Sequence, residues 1–404
     1  MLSITEAQDL IAAEVRAASK SGSELVSLGS ALGRTLAEDV TSDIDSPPHD
    51  KSIVDGYAVI AEGLAPGVVL TVLEEVTAGT VPTCGVTPGT ATRIMTGAPL
   101  PAGATAVVMV EKTSLLGNKP DHVQLNESPR SGQNIVRQGT SLRSDETVLT
   151  AGQQLSPARI GLLAEVGRSE VRVAPLPKLA VLTTGNEIVP VGSVPKAGQI
   201  RNSNGPMLEA LAKQLGIEVI SLGAARDEEI DLRSLISRGL QADVLVISGG
   251  VSAGVLDLVP GVLTKLGVRQ VFHKVNLKPG KPVWFGVFPR EGGRQTLVFG
   301  LPGNPVSSFV CFELFVRHAL SQLSAAAPLI SQKARLTQEY AHRGERPTFW
   351  PATLEDAGDQ REVKLLASKG SGDLKTLADA DCLAFFPGPD RKYAVGEEVR
   401  AYLL

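Results

Sequence analysis

The sequence contains few residues of the kinds that build disulfide frameworks and metal clusters. Its 404 residues include three cysteines, Cys84, Cys311 and Cys382, which lie far apart. An odd and scattered set of this kind argues against a disulfide framework and against a zinc site. The five histidines show no metal-ligand spacing with one another or with a cysteine. We therefore expect these residues to serve packing or the surface.

Long apolar runs and an excess of one charge are also absent. No segment approaches the roughly 20 apolar residues that a membrane span needs. The N-terminal MLSITEAQDLIAAEV lacks the basic start and the apolar run of a signal peptide. The net charge is −4 with mixed signs, which predicts neither nucleic-acid nor membrane binding. The sequence thus predicts a cytoplasmic protein in which local lysines and backbone amides must hold any anion.

Over the first 176 residues the sequence pattern changes from helical to β-rich and back to helical. A capping box at Ser3-x-x-Glu6 predicts the start of a helix, and the helical pattern extends to about residue 40. A stretch rich in Val, Thr, Gly and Pro follows, with strands predicted near residues 67–72 and 106–110. Ser156 as N-cap and Pro157 as the first helical residue then start another helix. We predict a split helical domain over residues 1–44 and 139–176, with a β-rich domain over residues 45–138 inserted in it.

Strands and helices alternate over residues 177–326. Strands are predicted at residues 179–184, 218–222, 243–248, 282–287 and 296–299. Helical patterns follow several of them, and a long helix is predicted from Pro305. This alternation predicts a doubly wound, mostly parallel α/β sheet with right-handed crossovers. Short alternating segments over residues 327–404 predict a small C-terminal β domain.

Ligands of an open α/β sheet bind at the carboxyl ends of the strands, and the third predicted strand ends in Gly249-Gly250. Glycines let the backbone approach a ligand without a Cβ clash, and successive amides can hold an anion. The alternative is a tight strand-to-helix turn with no ligand. The last strand leads into Asn304-Pro305, where Asn304 suits the N-cap and Pro305 the first helical position. A helix N-terminus there predicts an anion site.

Charged side chains flank these loops. Lys274, Lys278 and Lys281 lie within eight residues on a loop stiffened by prolines, which predicts a compact cluster of positive charge. The alternative is that these lysines form a solvated basic face without a ligand. The acids that follow strands or precede helices are Glu187, Asp227 and Asp257. Carboxylates near phosphate-binding lysines suggest Mg²⁺, although each acid could be an ordinary loop residue. No histidine lies in these loops, and neither GxxxxGK[ST] nor GxGxxG occurs.

The segments SIVDGYAV, RIMTGAPLP, TTGNEIV, SGGVSAGVLD, LKPGKPVWFG and LPGNPVS occur in this order. Through them the chain resembles, over essentially its whole length, the molybdopterin molybdenumtransferase (MoeA) family, which is related to the E domain of gephyrin. The resemblance implies four domains, including a MogA-like α/β domain. It implies homodimers whose cleft lies between the α/β domain of one subunit and the inserted β domain of the other. The implied reaction is Mg²⁺-dependent insertion of molybdate into adenylylated molybdopterin, with release of AMP.

The resemblance also carries functional roles to positions where the motifs match. The residues it implies as catalytic are Asp55, Thr96, Asp227, Asp257, Lys274 and Lys278. The residues it implies as substrate-binding are Gly249, Gly250, Ser252, Lys281, Pro302, Gly303, Asn304, Pro305 and Ser307. The implied metal ligands are Glu187, Asp227 and Asp257. A MogA-like adenylyltransferase that makes the adenylylated substrate is an expected partner.

Three places depart from the family's pattern. Asn186 stands where the family often has Asp, Thr140 and Ser141 stand where it often has Glu and Asp, and Thr105 replaces a common Asp. Either a neighbouring acid such as Asp145 substitutes for the missing ones, or activity is lowered. Two other functions stay open. Adenylylation of molybdopterin is disfavoured because a stand-alone MogA-like protein lacks the flanking β domains, and a gephyrin-type scaffold is disfavoured by the retained acids and lysines.

Overall fold

The computed structural model of the chain describes residues 1–18, 22–251, 258–324, 327–358 and 360–404. These residues form two compact units. The first unit combines Met1–Glu24, Gly33–Thr35 and Val173–Leu404, and the second combines Leu25–Leu32 and Leu36–Arg172.

The helices of the described residues are short to medium in length. They are α1 (Ile4–Ala18), α2 (Pro157–Glu165), α3 (Asn204–Gln214), α4 (Glu229–Gly239), α5 (Val259–Lys265), α6 (Pro305–Cys311), α7 (Arg317–Leu323) and α8 (Leu374–Ala378). None of the helices in the described part of the chain combines the length and the apolar character that a bilayer-crossing segment needs.

Helix α1 begins at the predicted capping box and packs within the first unit. The Ser3 hydroxyl accepts a hydrogen bond from the Glu6 amide at 3.2 Å, and the Glu6 carboxylate accepts one from the Ser3 amide at 2.7 Å. The apolar face of α1, which includes Ile11 and Val15, is buried in the same core as the α/β sheet. Burial of an amphipathic face of this kind supplies most of a helix's stability.

Residues 24–173 contain mainly short strands. They are β1 (Glu24–Ser27), β2 (Val40–Thr41), β3 (Lys51–Ser52), β4 (Gly56–Val59), β5 (Val69–Val76), β6 (Thr90–Ile94), β7 (Ala106–Met109), β8 (Thr113–Leu116), β9 (Lys119–Leu125), β10 (Ile135–Val136), β11 (Thr147–Leu149) and β12 (Glu170–Val173). The prediction of helical structure up to about residue 40 is therefore wrong from Glu24 onward, where strand β1 begins. The predicted start of α2 is confirmed, because the Ser156 hydroxyl accepts a hydrogen bond from the Arg159 amide.

The main sheet of the second unit contains β7, β4, β6, β5, β9 and β8 in that spatial order. Strands β5 and β7 confirm the two strands predicted in this region. Strand β4 is antiparallel to β6 and to β7, with Gly56 opposite Ile94. A Cβ added at Gly56 would lie 2.0 Å from the carbonyl oxygen of Val108, so only glycine allows this strand spacing. The antiparallel register brings the residue before β4 next to the residues after β6.

The strands of residues 178–301 build the α/β sheet and a small flap. They are β13 (Lys178–Thr184), β14 (Ile188–Val189), β15 (Ile200–Arg201), β16 (Glu218–Ala225), β17 (Val244–Ser248), β18 (Arg269–His273), β19 (Trp284–Pro289) and β20 (Gln295–Leu301). The sheet order is β16, β13, β17, β20, β19 and β18, and its first four strands are parallel. All of β17 is buried, as expected for a central parallel strand.

Strands β18 and β19 run antiparallel to their neighbours, so the strand predicted at residues 282–287 does not belong to the parallel part of the sheet. Only residues 290–294 separate β19 from β20. A parallel crossover needs a connection of about a dozen residues or more, so this short link permits only a hairpin.

The helix predicted from Pro305 is confirmed. Helix α6, a π-helical turn at Phe312–Val316 and helix α7 follow one another without interruption. The buried face of this composite helix, which includes Phe312 and Phe315, packs in the core that also holds α1.

The C-terminal strands form a small barrel. They are β21 (Ser331–Leu336), β22 (Tyr340–His342), β23 (Thr348–Ala357), β24 (Gln360–Leu365), β25 (Cys382–Phe386), β26 (Arg391–Tyr393) and β27 (Glu398–Leu403). Strands β21, β24, β23, β25 and β27 close the barrel in that order. The predicted fold class, a mostly parallel α/β domain with helical and β parts, is confirmed. The four predicted domain boundaries stay predictions.

Candidate functional site

A cavity of about 370 Å³ opens in the first unit at the carboxyl ends of β13, β17 and β20. It therefore lies where an open α/β sheet binds its ligands. The predicted site residues that line it are Glu187, Asp227, Gly249, Gly250, Pro302, Gly303, Asn304 and Pro305. Loops that are far apart in sequence thus converge on one space, as the strand-end argument predicts.

The Gly249-Gly250 turn after β17 can be made only by glycine. Both residues have positive φ, +102° and +63° respectively. A Cβ on Gly249 would lie 2.4 Å from the carbonyl oxygen of Thr184, and one on Gly250 would lie 2.9 Å from the Thr184 hydroxyl. These glycines therefore let the β17 turn lie directly against the end of β13, and they leave the cavity wall as bare backbone.

Two of the three predicted acids line the cavity together. Glu187 is exposed, and Asp227 is half-buried. Asn186 positions the second acid, because its side-chain oxygen accepts a hydrogen bond from the Asp227 amide at 3.1 Å. An Asn at this departure from the family's pattern can therefore still join the two acid-bearing loops. The third acid, Asp257, lies outside the described residues, as does the predicted substrate-binding residue Ser252.

The two acids suit a hard divalent cation that keeps several waters. Mg²⁺ is commonly held by one or two carboxylates together with substrate phosphates, rather than by a complete protein cage. The described residues contain no group of three or more His, Cys, Asp or Glu side chains that could hold a metal ion, and the third predicted acid, Asp257, lies outside them. The pair Glu187 and Asp227 fits such a shared site.

The three predicted lysines lie on the loop that precedes β19, and in the described structure they do not line the cavity, whereas the adjacent Pro282 does. Lys278 and Lys281 are exposed, and Lys274 is half-buried with a φ of 74°. Backbone hydrogen bonds fasten Lys278 to the neighbouring barrel, since its amide donates to the Pro347 carbonyl and its carbonyl accepts from the Phe349 amide, both at 2.8 Å. Among the described residues, no ion pair occupies these ammonium groups.

The loop after β20 forms the predicted helix start but offers fewer free amides than expected. Asn304 is the N-cap and Pro305 the first helical residue, yet the Asn304 side chain makes no capping hydrogen bond. The Val306 amide donates to the Ser371 carbonyl at 3.0 Å, so it is not available to an anion. Ser307 is buried on the helix, and the cavity lining of the described residues does not include it.

Sequence reasoning missed Thr184, Ser248, Arg201, Ser203 and Asn204, which also line the cavity. Asn204 ties three loops together, since its amide nitrogen donates to the Ser248 hydroxyl at 2.8 Å and to the Gly303 carbonyl at 2.7 Å. Asn204 begins helix α3 shortly after β15, and the loop after a strand is where ligand-binding residues are expected. The sequence alone does not reveal this position, because β15 itself is difficult to detect. That strand is only two residues long and leaves no periodic signal.

Asp55 and Thr96 form a close pair in the second unit. Asp55 precedes β4 and Thr96 follows β6, and the antiparallel pairing of these strands places them side by side. Both the amide and the hydroxyl of Thr96 donate to one carboxylate oxygen of Asp55, at 2.8 and 2.7 Å. These bonds, with a smaller contribution from Arg93, lower the pKa of Asp55 below its usual value. Asp55 is therefore an exposed and firmly ionised carboxylate.

Two other departures from the family's pattern have local structural roles. The Thr105 hydroxyl accepts a hydrogen bond from the Ala61 amide at 2.8 Å. The Thr140 hydroxyl donates to the Arg137 carbonyl at 2.6 Å. The first bond joins two segments that are distant in sequence, and the second stabilises a local turn of the second unit.

Family models match three consecutive parts of the chain. The MoeA N-terminal region (domain I and II) matches residues 2–167, a probable molybdopterin binding domain matches residues 180–322, and the MoeA C-terminal region (domain IV) matches residues 333–404. The cavity and its flanking loops fall within the middle match.

Curated relatives match nearly the whole chain. A molybdopterin molybdenumtransferase of Staphylococcus aureus strain COL is 34% identical over 387 residues, which cover 93% of this chain and 89% of the relative. A protein of the same name from Nostoc sp. is 34% identical over 391 residues, which cover 94% and 88%.

Solved structures agree with these matches. A molybdopterin biosynthesis MoeA protein from Pyrococcus horikoshii aligns over 100% of this chain with 34% identity and a TM-score of 0.82, covering 99% of that chain. A second structure from the same organism aligns over 100% of both chains with 31% identity and a TM-score of 0.80.

Proposed function

The chain belongs to the molybdopterin molybdenumtransferase (MoeA) family and is an enzyme with a role in molybdenum cofactor biosynthesis, and from this premise we propose its reaction. It inserts molybdenum, supplied as molybdate, into adenylylated molybdopterin and releases AMP. The observation that carries this proposal is the cavity at the ends of β13, β17 and β20, where Gly249, Gly250, Glu187 and Asp227 meet.

The cavity and its flanking loops have the groups needed to bind two anionic reactants, molybdate and a phosphorylated substrate. The glycine turn leaves backbone exposed to a ligand, so phosphate oxygens can approach without meeting a Cβ. The loop of Lys274, Lys278 and Lys281 adds positive charge beside β19, and in the described structure no carboxylate neutralises it. Molybdate and the substrate's phosphates are both anions, so attraction to this loop favours both reactants.

We propose that Glu187 and Asp227 hold Mg²⁺ together with the substrate's phosphates. The cation would supply charge neutralisation to the phosphate groups as the phosphoanhydride bond is cleaved. The protein's own contribution is to hold the two carboxylates in place. Asn186 does this for Asp227 through the hydrogen bond to its amide.

The protein residues would act by binding and by charge rather than by forming a covalent bond. The sulfur ligands of molybdenum belong to the substrate, so no catalytic cysteine is required. Cys311 and Cys382 are buried, and burial raises the pKa of both thiols, which leaves them unreactive. Lys278 would stabilise negative charge that develops on the leaving phosphate.

Release of AMP tests the proposal directly. Purified protein is incubated with adenylylated molybdopterin and Mg²⁺, with and without molybdate, and AMP is followed by chromatography. We expect AMP release that depends on both molybdate and Mg²⁺. Absence of molybdate-dependent release from the folded protein would contradict the proposed reaction and favour the scaffold or low-activity alternatives.

A pair of lysine variants separates site chemistry from general charge. Lys278→Ala should lower the rate of AMP release at least about tenfold, because an oriented charge at the reacting group is lost. Lys333→Ala is the matched control, since Lys333 is an exposed lysine of the barrel that is paired with Glu398. It removes the same charge and should leave the rate unchanged. Equal effects of the two substitutions would remove Lys278 from the proposed site.

Three further features stay predictions that rest on the family. They are a homodimer, a MogA-like adenylyltransferase as the source of the substrate, and a cytoplasmic location. Analytical ultracentrifugation of the full chain tests the first. A single species at the mass of one 42.3 kDa chain over the concentration range of the activity assay would contradict it.

A further inference from the structure

A second cavity, of about 510 Å³, lies in the first unit. It is lined by the start of helix α1, the π-helical turn with α7, residues 328 and 329, and the C-terminal barrel. In the described structure its lining residues all differ from those of the cavity at the strand ends. Pockets that bind small molecules commonly have volumes of roughly 300–1,000 Å³, so this space is large enough for a small organic ligand.

Three aromatic side chains form one wall of this second cavity. The ring centroids of Phe349 and Phe385 lie 4.9 Å apart, and the ring of Tyr402 lies 5.4 Å from the first and 6.1 Å from the second. Phe349 is buried, whereas Phe385 and Tyr402 are half-buried and keep open ring surface. The half-buried side chains of Ile4 and Leu329 add aliphatic surface to the lining. Such a lining favours a ligand with an apolar and aromatic body.

Arg400 brings a positive charge to the same lining. Side chains alternate between the two faces of a strand, so Arg400 and Tyr402 leave β27 on the same face. In the barrel register, Arg400 lies opposite Phe385 on one side and opposite Lys333 on the other. Glu398, the next acid along this face of β27, pairs with Lys333 at 2.7 Å. The described residues therefore provide two cations and one acid here, and no ion pair among them neutralises Arg400.

Glu313 is the acidic side chain that lines this cavity in the described structure. Its carboxylate is engaged by Arg317, whose Nη2 donates to Oε1 at 3.2 Å. Burial raises the pKa of Glu313 to about 7, so near neutral pH this side chain carries only part of its charge. The charge that an anion meets in this cavity is therefore dominated by Arg400.

We propose that the second cavity binds a small aromatic carboxylate. The ring packs against Phe385 and Tyr402, and the carboxylate accepts hydrogen bonds from the guanidinium of Arg400. Arginine suits this role because its planar guanidinium can donate two parallel hydrogen bonds to one carboxylate. A neutral aromatic molecule would use only the wall, and a small anion without a ring would use only the charge. Because the site is separate from the cavity at the strand ends, the inference does not depend on the proposed reaction.

Fluorine NMR titrations of the full-length protein test this assignment. The probe is 4-fluorophenylacetate, and its neutral counterpart of the same shape is 4-fluorophenylacetamide. Trifluoroacetate serves as a carboxylate without a ring. Line broadening during each titration gives the affinity. We expect the aromatic acid to bind about fivefold more tightly than the amide, as is typical of one hydrogen bond to a charged group at a partly exposed site. Trifluoroacetate should bind more weakly than the aromatic acid.

Two matched variants locate the binding site. Arg400→Gln removes a charge that no described ion pair uses, so the unfolding midpoint should stay the same. The affinity for the aromatic acid should fall about fivefold, to that of the amide, while the affinity for the amide stays unchanged. Lys333→Gln is the control, because it removes the same charge from the opposing position of the same strand pair, outside the lining of this cavity. It should change neither affinity.

Any of four results would overturn the inference. They are no binding of the aromatic acid by the wild type, equal wild-type affinities for the acid and the amide, equal losses of acid affinity in Arg400→Gln and Lys333→Gln, and trifluoroacetate binding as tight as that of the aromatic acid. The last result would indicate a surface that attracts anions through charge alone. None of these titrations involves AMP release, so failure here leaves the proposed function in place.

Discussion

Thr96 donates two hydrogen bonds to the same carboxylate oxygen of Asp55, from its amide at 2.8 Å and from its hydroxyl at 2.7 Å. Both bonds favour the ionised carboxylate, and together with the charge of Arg93 they lower its pKa. Because the folded-state pKa lies below the unfolded value, the pair stabilises the fold above the unfolded pKa. That contribution is lost as the pH falls through the folded-state pKa.

Thr96→Val should raise the pKa of Asp55 toward its usual value without abolishing the shift, because the amide bond remains. Carbon-detected NMR titration of the Asp55 carboxyl group measures this change. Thr96→Ser keeps a hydroxyl at the same place and should leave the pKa close to that of the wild type. If valine and serine give the same pKa as threonine, the hydroxyl does not hold the carboxylate.

Gly249→Ala should disrupt the cavity. The substitution places a methyl group 2.4 Å from the Thr184 carbonyl oxygen, at a φ of +102° that L-residues rarely adopt. We expect a loss of stability of about 2 kcal/mol or more, together with loss of AMP release. Gly303→Ala is the matched control for the loss of stability, because its Cβ would meet nothing closer than 3.8 Å.

Thermal unfolding of the two alanine variants measures this difference. A Gly249→Ala protein as stable as Gly303→Ala would show that the turn can relax away from β13. The cavity wall would then not depend on the missing Cβ.

Much of the α/β domain could be predicted from the sequence because its central strands are buried on both faces. Residues 244–247 are all apolar, as is typical of such a strand, and the loop that follows the strand must lie at the ligand-binding edge. The direction of β19 was also readable, since the link at residues 290–294 is too short for a crossover. Strand–helix alternation by itself carries no information about the length of that link.

Other features could not be predicted from local patterns. The periodicity of α1 shows that one face is buried, but it does not show that the face packs in the core of the α/β sheet. Asn204 follows a strand of two residues, for which no alternation can be detected. The hydrogen bonds of Asn204 to Ser248 and to Gly303 join residues that are distant in sequence, so they become visible only in the structure.

Glu313→Ala should destabilise the first unit strongly. Glu313 is 1% exposed and Arg317 is 10% exposed, and their Oε2 and Nε atoms lie 2.7 Å apart. That contact is not aligned as a hydrogen bond, whereas Arg317 Nη2 donates to Oε1 at 3.2 Å. Removing the carboxylate leaves a buried guanidinium unpaired, which typically costs about 3–5 kcal/mol. Denaturant unfolding followed by tryptophan fluorescence measures the change.

The exposed pair Lys375 and Asp379 is the control for this prediction, because it has the same i, i+4 spacing at the surface. Asp379→Ala should not change the unfolding midpoint measurably. The double substitution Glu313→Leu with Arg317→Met removes both charges and should recover most of the lost stability. A double variant as unstable as Glu313→Ala would indicate that lost packing, rather than an unpaired charge, is the cause.

Glu313 should also give the first unit a distinctive dependence of stability on pH. Burial raises the pKa of its carboxyl to about 7, and the charge of Arg317 only partly opposes this effect. Between the unfolded value of 4.5 and about 7, the folded protein binds more protons at this site than the unfolded chain does. The free energy of unfolding therefore falls as the pH rises through this window.

Glu313→Gln cannot titrate, so subtracting its stability from that of the wild type isolates this contribution from those of all other groups. The wild type should lose stability relative to the variant between about pH 4.5 and pH 7, the window between the unfolded and the folded pKa. Chemical unfolding of both proteins across this range gives the difference. A difference that changes in the opposite direction would mean that Arg317 holds the pKa of Glu313 below its usual value. The ion pair would then outweigh burial, and Glu313 would stay charged at neutral pH.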